Sequence, residues 1–238
     1  MRKSISKQLG VCAAALGAAA FVLRMIFYGI GEDIKGLLPQ TVGFSLAFWG
    51  LTAAMAVLAA VRTRKLGKSP GDPGLGGLPA AASVVMAAGI LLTLPELGGI
   101  DGLSDLAAGL GLLGGGCLLG AGWMQSRNQK PYFLLPVAVC LFFAFLLISR
   151  YRSWSGNPQF EVHMFDLGAC LVLMLYAYHQ AAACLNMSSH RAQMVLGCLA
   201  GFFCLGALPH SELPVLYLCS AVWVFTGLWT LPEKEEGL

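Results

Sequence analysis

Apolar runs of about 20 residues alternate with short polar breaks along almost the whole chain. That rhythm predicts membrane-spanning helices. Runs at about 11–30, 41–61, 78–94, 103–124, 132–149, 163–185, 192–208 and 213–231 give eight spans. Most breaks are too short to form a soluble domain. The longest, 62–77, opens with the basic run Arg62-Thr-Arg-Lys-Leu-Gly-Lys68 and continues as a Gly/Pro linker. Spans three and four meet at a turn crowded with Pro and Gly. Six spans with that region re-entrant are therefore the alternative, in the same orientation.

Composition sharpens the class. Of the 238 residues 57% are hydrophobic and 11% charged, and the mean hydropathy is +0.73. Soluble domains carry about 25% charged residues. The prediction is an all-α, polytopic transmembrane helical bundle forming one integral membrane domain over residues 1–238. Leu94-Pro-Glu96 and Leu208-Pro-His-Ser-Glu212 end spans three and seven alike, which hints at weak halves, 1–124 and 125–238. Leu-Pro ends many membrane helices, and the rest of the halves do not align. The net charge of +3 gives no sign of nucleic-acid binding.

The placement of the basic residues matters more than their sum. One side collects Arg2, Lys3, Lys7, Arg62, Arg64, Lys65, Lys68, Arg127, Lys130, Arg191 and Lys234. The other has only Lys35, Arg150 and Arg152, while Arg24 falls within a span. Positive charge favours the cytoplasm, so both termini are expected there. The start reads as an uncleaved first span, because the apolar run continues to about residue 30 without a clean small-x-small cleavage site. The eight cysteines lie in or beside apolar segments without a CxxC pair, which reads as buried apolar use.

Few motifs carry chemistry. Gly109-Leu-Gly-Leu-Leu-Gly114 matches the dinucleotide pattern GxGxxG, but it lies inside a hydrophobic helix where no strand precedes it. Gly111/Gly115 and Gly116/Gly120 read instead as helix-packing pairs. Tyr176, Tyr178, Trp123, Trp223 and Trp229 read as interface aromatics, and His179 as a hydrogen-bonded histidine at the cytoplasmic edge. The basic loop serves as a topology determinant and could also attract anionic lipid. No nucleophile triad or P-loop is present.

Two intramembrane charges remain. Arg24 and Asp166 each lie about a turn inside the outer boundary of a span. An unpaired charge at a helix centre costs about 2.5–3.5 kcal/mol on insertion scales. At equal depth the two are expected to pair, either as a structural contact or as the floor of an outward-facing cavity. Arg150 and Arg152 run against the positive-inside trend, Trp154 follows them, and His163 shares a face with Asp166 at i, i+3.

Arg150-Tyr-Arg-Ser-Trp-Ser-Gly-Asn-Pro-Gln159 and Leu173-Met-Leu-Tyr-Ala-Tyr-His-Gln-Ala-Ala182 together resemble a pattern in a family of uncharacterised bacterial multi-pass membrane proteins. The resemblance implies a bacterial plasma-membrane location. It supplies no activity and no catalytic residues.

The expected function is a permease-like or solute-binding membrane protein. Arg24, Arg150, Arg152, Trp154, His163 and Asp166 would line its site, and its ligand would be a small polar or anionic solute. No cofactor, metal site or catalytic residue is assigned, and the balance leans away from an enzyme. One alternative is a membrane-embedded enzyme, such as a metal-dependent hydrolase, using His163, Asp166, His210 and Glu212. The other is an interaction or assembly subunit whose membrane-protein partner meets the glycine-rich fourth helix or the basic loop.

Overall fold

The computed structural model describes residues 5–33, 39–65, 74–97, 102–155, 163–209 and 211–231. They form α1 (Ile5–Asp33), α2 (Pro39–Arg62), α3 (Gly77–Leu97), α4 (Gly102–Ser126), α5 (Leu134–Trp154), α6 (Met164–Cys184), α7 (His190–Ala207) and α8 (Pro214–Thr230). A 3-10 turn, Thr63–Lys65, follows α2. Each apolar run has thus become a helix, as lipid requires of backbone that must satisfy its own hydrogen bonds. His210 and the basic residues Arg2, Lys3, Lys35, Lys68 and Lys234 lie outside the described residues.

Several boundaries differ from the sequence reading. α1 begins well before residue 11 and runs to Asp33, beyond the expected end at 30. α3 continues through Pro95 to Leu97 rather than stopping before the proline. A proline in the last turn of a helix costs only one backbone bond. His190 and Arg191 open α7 instead of sitting in the preceding turn. α3 and α4 are continuous helices of 21 and 25 residues.

Five helices are long and apolar enough to cross a membrane: Ser6–Ile26, Gly77–Leu97, Asp105–Ser126, Leu134–Trp154 and Met164–Cys184. Leu46–Arg62 and Pro214–Thr230 are apolar but shorter. α7 starts with His190, Arg191 and Gln193, and its interior is rich in Gly, Ala and Cys. Those small residues let other helices approach closely. α7 accordingly packs on α1, α2, α6 and α8, and is the most enclosed helix of the bundle.

From α3 to α8, each helix packs on the next in sequence, and α8 returns to α3. The six close into a ring. α1 and α2 lie against the outside of α7, with α1 also touching α8. Contacts across the 124/125 boundary, α4 with α5, α3 with α8 and α1 with α7, are among the most extensive in the fold. The core holds Met86, Phe142, Phe143, Tyr176, Phe202 and Tyr217, all almost fully buried. Trp223 joins it, edge-on to Tyr176 with ring centroids 5.2 Å apart. This corrects the reading of Trp223 as an interface anchor: position 223 lies two turns inside α8. Trp123 and Trp229 are exposed.

The helices alternate in direction. Gly10 of α1 meets Trp229 of α8, and Gly17 meets Leu205 of α7. The start of α1 and the end of α8 therefore share one end of the bundle, called here the terminal end; the other is the distal end. At the terminal end α4 and α6 stop in the same way. Asn128 and Asn186 each take the left-handed conformation, at φ 57°. Gln129 N–H reaches back to the Met124 carbonyl at 2.9 Å, and Met187 N–H to that of Ala182 at 2.9 Å. Asparagine tolerates this conformation better than other side chains do. The Lys130 Nζ then donates to Asn186 Oδ1 at 3.1 Å, tying the two turns together.

Of the glycines in α4, Gly111 and Gly115 sit at a helix contact as expected, whereas Gly109 of the GxGxxG match faces open space and the pair Gly116/Gly120 is not a close approach. A Cβ on Gly111 would approach the Leu94 side chain to 2.8 Å, and one on Gly115 the Leu91 side chain to 3.2 Å. Gly116 faces open space. None of the eight cysteines forms a disulfide among the described residues.

Candidate functional site

The distal end of the ring is organised by α1, α6 and α7. α7 ends at Ala207, so its last carbonyls have no helical partner. Arg24 of α1 fills that position. Its Nη1 donates to the carbonyls of Gly206 at 3.0 Å and Ala207 at 3.2 Å. Gly206 permits the approach of α6, because a Cβ there would meet the Phe165 ring at 2.8 Å. Beside it, Asp166 occupies the first turn of α6. Arg24 Nη2 donates to Asp166 Oδ2 at 3.1 Å, and both residues are 2% exposed.

This buried pair is supported on both sides. A cation suits the negative end of α7, and an anion suits the positive end of α6; each such placement contributes about 0.3–1 kcal/mol, more when partly buried. Ser211 lies beside the Asp166 carboxylate, and its Oγ accepts Leu213 N–H at 3.0 Å. The Phe165 ring lies under the guanidinium, 5.6 Å from centroid to Cζ. Below Asp166, the Tyr217 hydroxyl donates to its backbone carbonyl at 3.2 Å and contacts Cys170 Sγ at 3.4 Å.

A second layer lies towards the distal surface. Trp154, at the end of α5, stacks on His163, just ahead of α6, at 4.0 Å and 13° between planes. Arg150 lies over the Trp154 ring at 5.5 Å and forms an ion pair with the exposed Glu212. Trp154 is thus buried rather than an ordinary belt residue. His163 lies outside the span Met164–Cys184. Burial pushes its pKa below the usual histidine value, assisted by Arg24 and Arg150 and opposed by Asp166.

Five of the six residues singled out from sequence therefore meet: Arg24 and Asp166 as a pair, Arg150, Trp154 and His163 as the layer beside it. Arg152 does not join them. It is exposed on the last turn of α5, with no side-chain ion pair or hydrogen bond among the described residues. One turn is 3.6 residues, so Arg150 and Arg152 diverge by half a helix circumference. Sequence reasoning missed Ser211, Tyr217, the carbonyls of Gly206 and Ala207, and Glu212 as the partner of Arg150. Pro209 was the only usable signal, since a proline just past a helix marks carbonyls in need of donors.

No three His, Cys, Asp or Glu side chains converge among the described residues. Asp166 and Glu212 are each engaged by a guanidinium. At the terminal end, His179 Nδ1 shares a hydrogen bond with Ser188 Oγ at 3.2 Å, as a hydrogen-bonded edge histidine should. The chain matches no protein-family model, no curated protein and no solved structure. The distal cluster must be read from its own chemistry, as part of an all-helical bundle with several apolar helices suited to a membrane.

Proposed function

We propose that the chain is a permease-like, solute-binding protein of the bacterial plasma membrane, with its termini in the cytoplasm and an outward-facing polar site at the distal end. The buried Arg24–Asp166 pair beneath a stacked aromatic layer carries this reading. Ionisable residues in spanning helices are expensive, and they commonly mark solute or ion pathways. A solute carboxylate or phosphate matches the guanidinium geometry that Asp166 satisfies. Such a solute would enter from the distal end by displacing Trp154 from His163, and Arg150 would draw it in. The cavities of about 840 and 30 Å³ both lie at the terminal end, so neither leads to the pair.

The test compares Asp166→Asn with wild type for membrane insertion and for thermal stabilisation by inorganic phosphate, acetate and succinate. The expected result is normal insertion with the anion response lost or altered. Equal loss of insertion and response makes the pair purely structural.

That structural reading is the second candidate, and one observation favours it: Arg24 has two carbonyls and a carboxylate, so its donors are well used without a ligand. The chain would then be an interaction or assembly subunit. The enzyme reading has less support. Its carboxylates, Asp166 and Glu212, face guanidiniums rather than each other, and His210 lies outside the described residues.

A further inference from the structure

A second feature lies at the opposite end of the bundle. Lys7, Leu9, Val11 and Cys12 of α1, Leu58 and Arg62 of α2, Leu78 of α3 and Trp229 of α8 surround a groove of about 840 Å³. Its walls are mostly apolar. Val11, Leu78 and Trp229 are exposed within it, although each would prefer to be covered. α1 and α2 contact each other far less than α3 and α8 do, and the groove lies between the two pairs.

The charges are unevenly placed. Lys7 lies one turn nearer the terminal end than Val11, and Arg62 one turn nearer than Leu58. The groove is therefore basic at its mouth and apolar along its length. Both basic residues are exposed, and neither has a carboxylate partner among the described residues. Arg64 is exposed just beyond. Trp229 stands against Gly10, about one turn in from Lys7, where an indole suits the boundary between headgroups and acyl chains.

We propose that this groove binds one anionic diacyl phospholipid, with its phosphate between Lys7 and Arg62 and an acyl chain along Val11, Cys12 and Leu58. Charge complementarity selects the occupant. An apolar peptide would leave both cations unpaired, whereas a zwitterionic lipid would bring its own cation to the mouth. Basic pockets between helices on the cytoplasmic side are where anionic headgroups are held. The site is independent of the distal pair.

Native mass spectrometry of the detergent-purified full chain tests this, with phosphatidylglycerol and phosphatidylcholine of identical chains as probes. The wild type should retain phosphatidylglycerol at roughly thirtyfold lower lipid concentration, the preference that two basic residues supply. Lys7→Gln with Arg62→Gln should abolish the preference, and Lys130→Gln, outside the groove, should not. Val11→Trp, which fills the groove, should weaken retention of both lipids. If the double variant does not insert, Lys7→Gln alone should reduce the preference severalfold. Equal retention of the two lipids by the wild type overturns the proposal. So does a preference that survives loss of the groove cations, or displacement of phosphatidylglycerol by inorganic phosphate.

Discussion

Among the described residues Arg24 bonds to three acceptors on two other helices, and its removal takes the guanidinium donor from each of them. Breaking a buried pair by removing one partner costs about 3–5 kcal/mol. Arg24→Leu should therefore lower the thermal midpoint more than any surface substitution, as a detergent melt would show. Asp166→Asn should cost less, because the amide oxygen still accepts from Arg24. His163 gives a pH dependence. Its pKa is lowered in the fold, so its stabilising contribution is present above the ordinary histidine value near 6.5 and is lost as pH falls through the lowered one. The melt should weaken on acidification, and His163→Phe should flatten that response while keeping the stack on Trp154. Arg24 and Asp166 were legible in sequence because each is a costly charge at matching depth. The pairing of Glu212 with Arg150 was not, since an acid at a helix end is solvated as often as paired.

α7 illustrates what hydropathy alone misses at the scale of the element. Its polar start and small residues make it an unremarkable span in sequence, yet these features place it among four neighbours. Gly206 is the closest of those approaches at the site. Gly206→Val should push Phe165 away and cost roughly 1–3 kcal/mol, read as a lower melting temperature. Gln193 has the opposite expectation. It is fully buried, and neither amide atom has a hydrogen-bond partner among the described residues. An unsatisfied buried polar group costs about 1–3 kcal/mol. Gln193→Met should raise the melting temperature by several degrees, and a drop would mean that the amide is engaged. Nothing in the sequence separates Gln193 from a solvated glutamine, because the enclosure comes from helices distant in the chain.

The whole molecule is a ring of six helices with two more laid against α7, and it has different chemistry at its two ends. The distal end buries one ion pair, Arg24–Asp166, and ties Arg150 to the exposed Glu212; the terminal end leaves Lys7, Arg62 and Arg64 exposed beside apolar surface. The alternation of helices was readable from the spacing of apolar runs. Closure of α8 onto α3 was not, because it depends on close contacts such as Gly89 with Cys219, where a Cβ would come within 2.5 Å. The positive-inside trend gives an orientation that labelling can check. Ser155→Cys should react with an impermeant thiol reagent from outside intact cells, and Arg64→Cys only after permeabilisation.

The distal pair is best tested by the double variant Arg24→Met with Asp166→Leu. A buried ion pair can often be replaced by apolar side chains with little loss of stability. Solute binding at the pair predicts that the wild type is thermally stabilised by at least one of phosphate, acetate and succinate. It predicts that the double variant, which removes both charges but leaves the Gly206 and Ala207 carbonyls without the guanidinium, folds with a lower melting temperature and shows no such stabilisation. An anion response that persists undiminished in the folded double variant, or its absence from the wild type, would contradict the proposal.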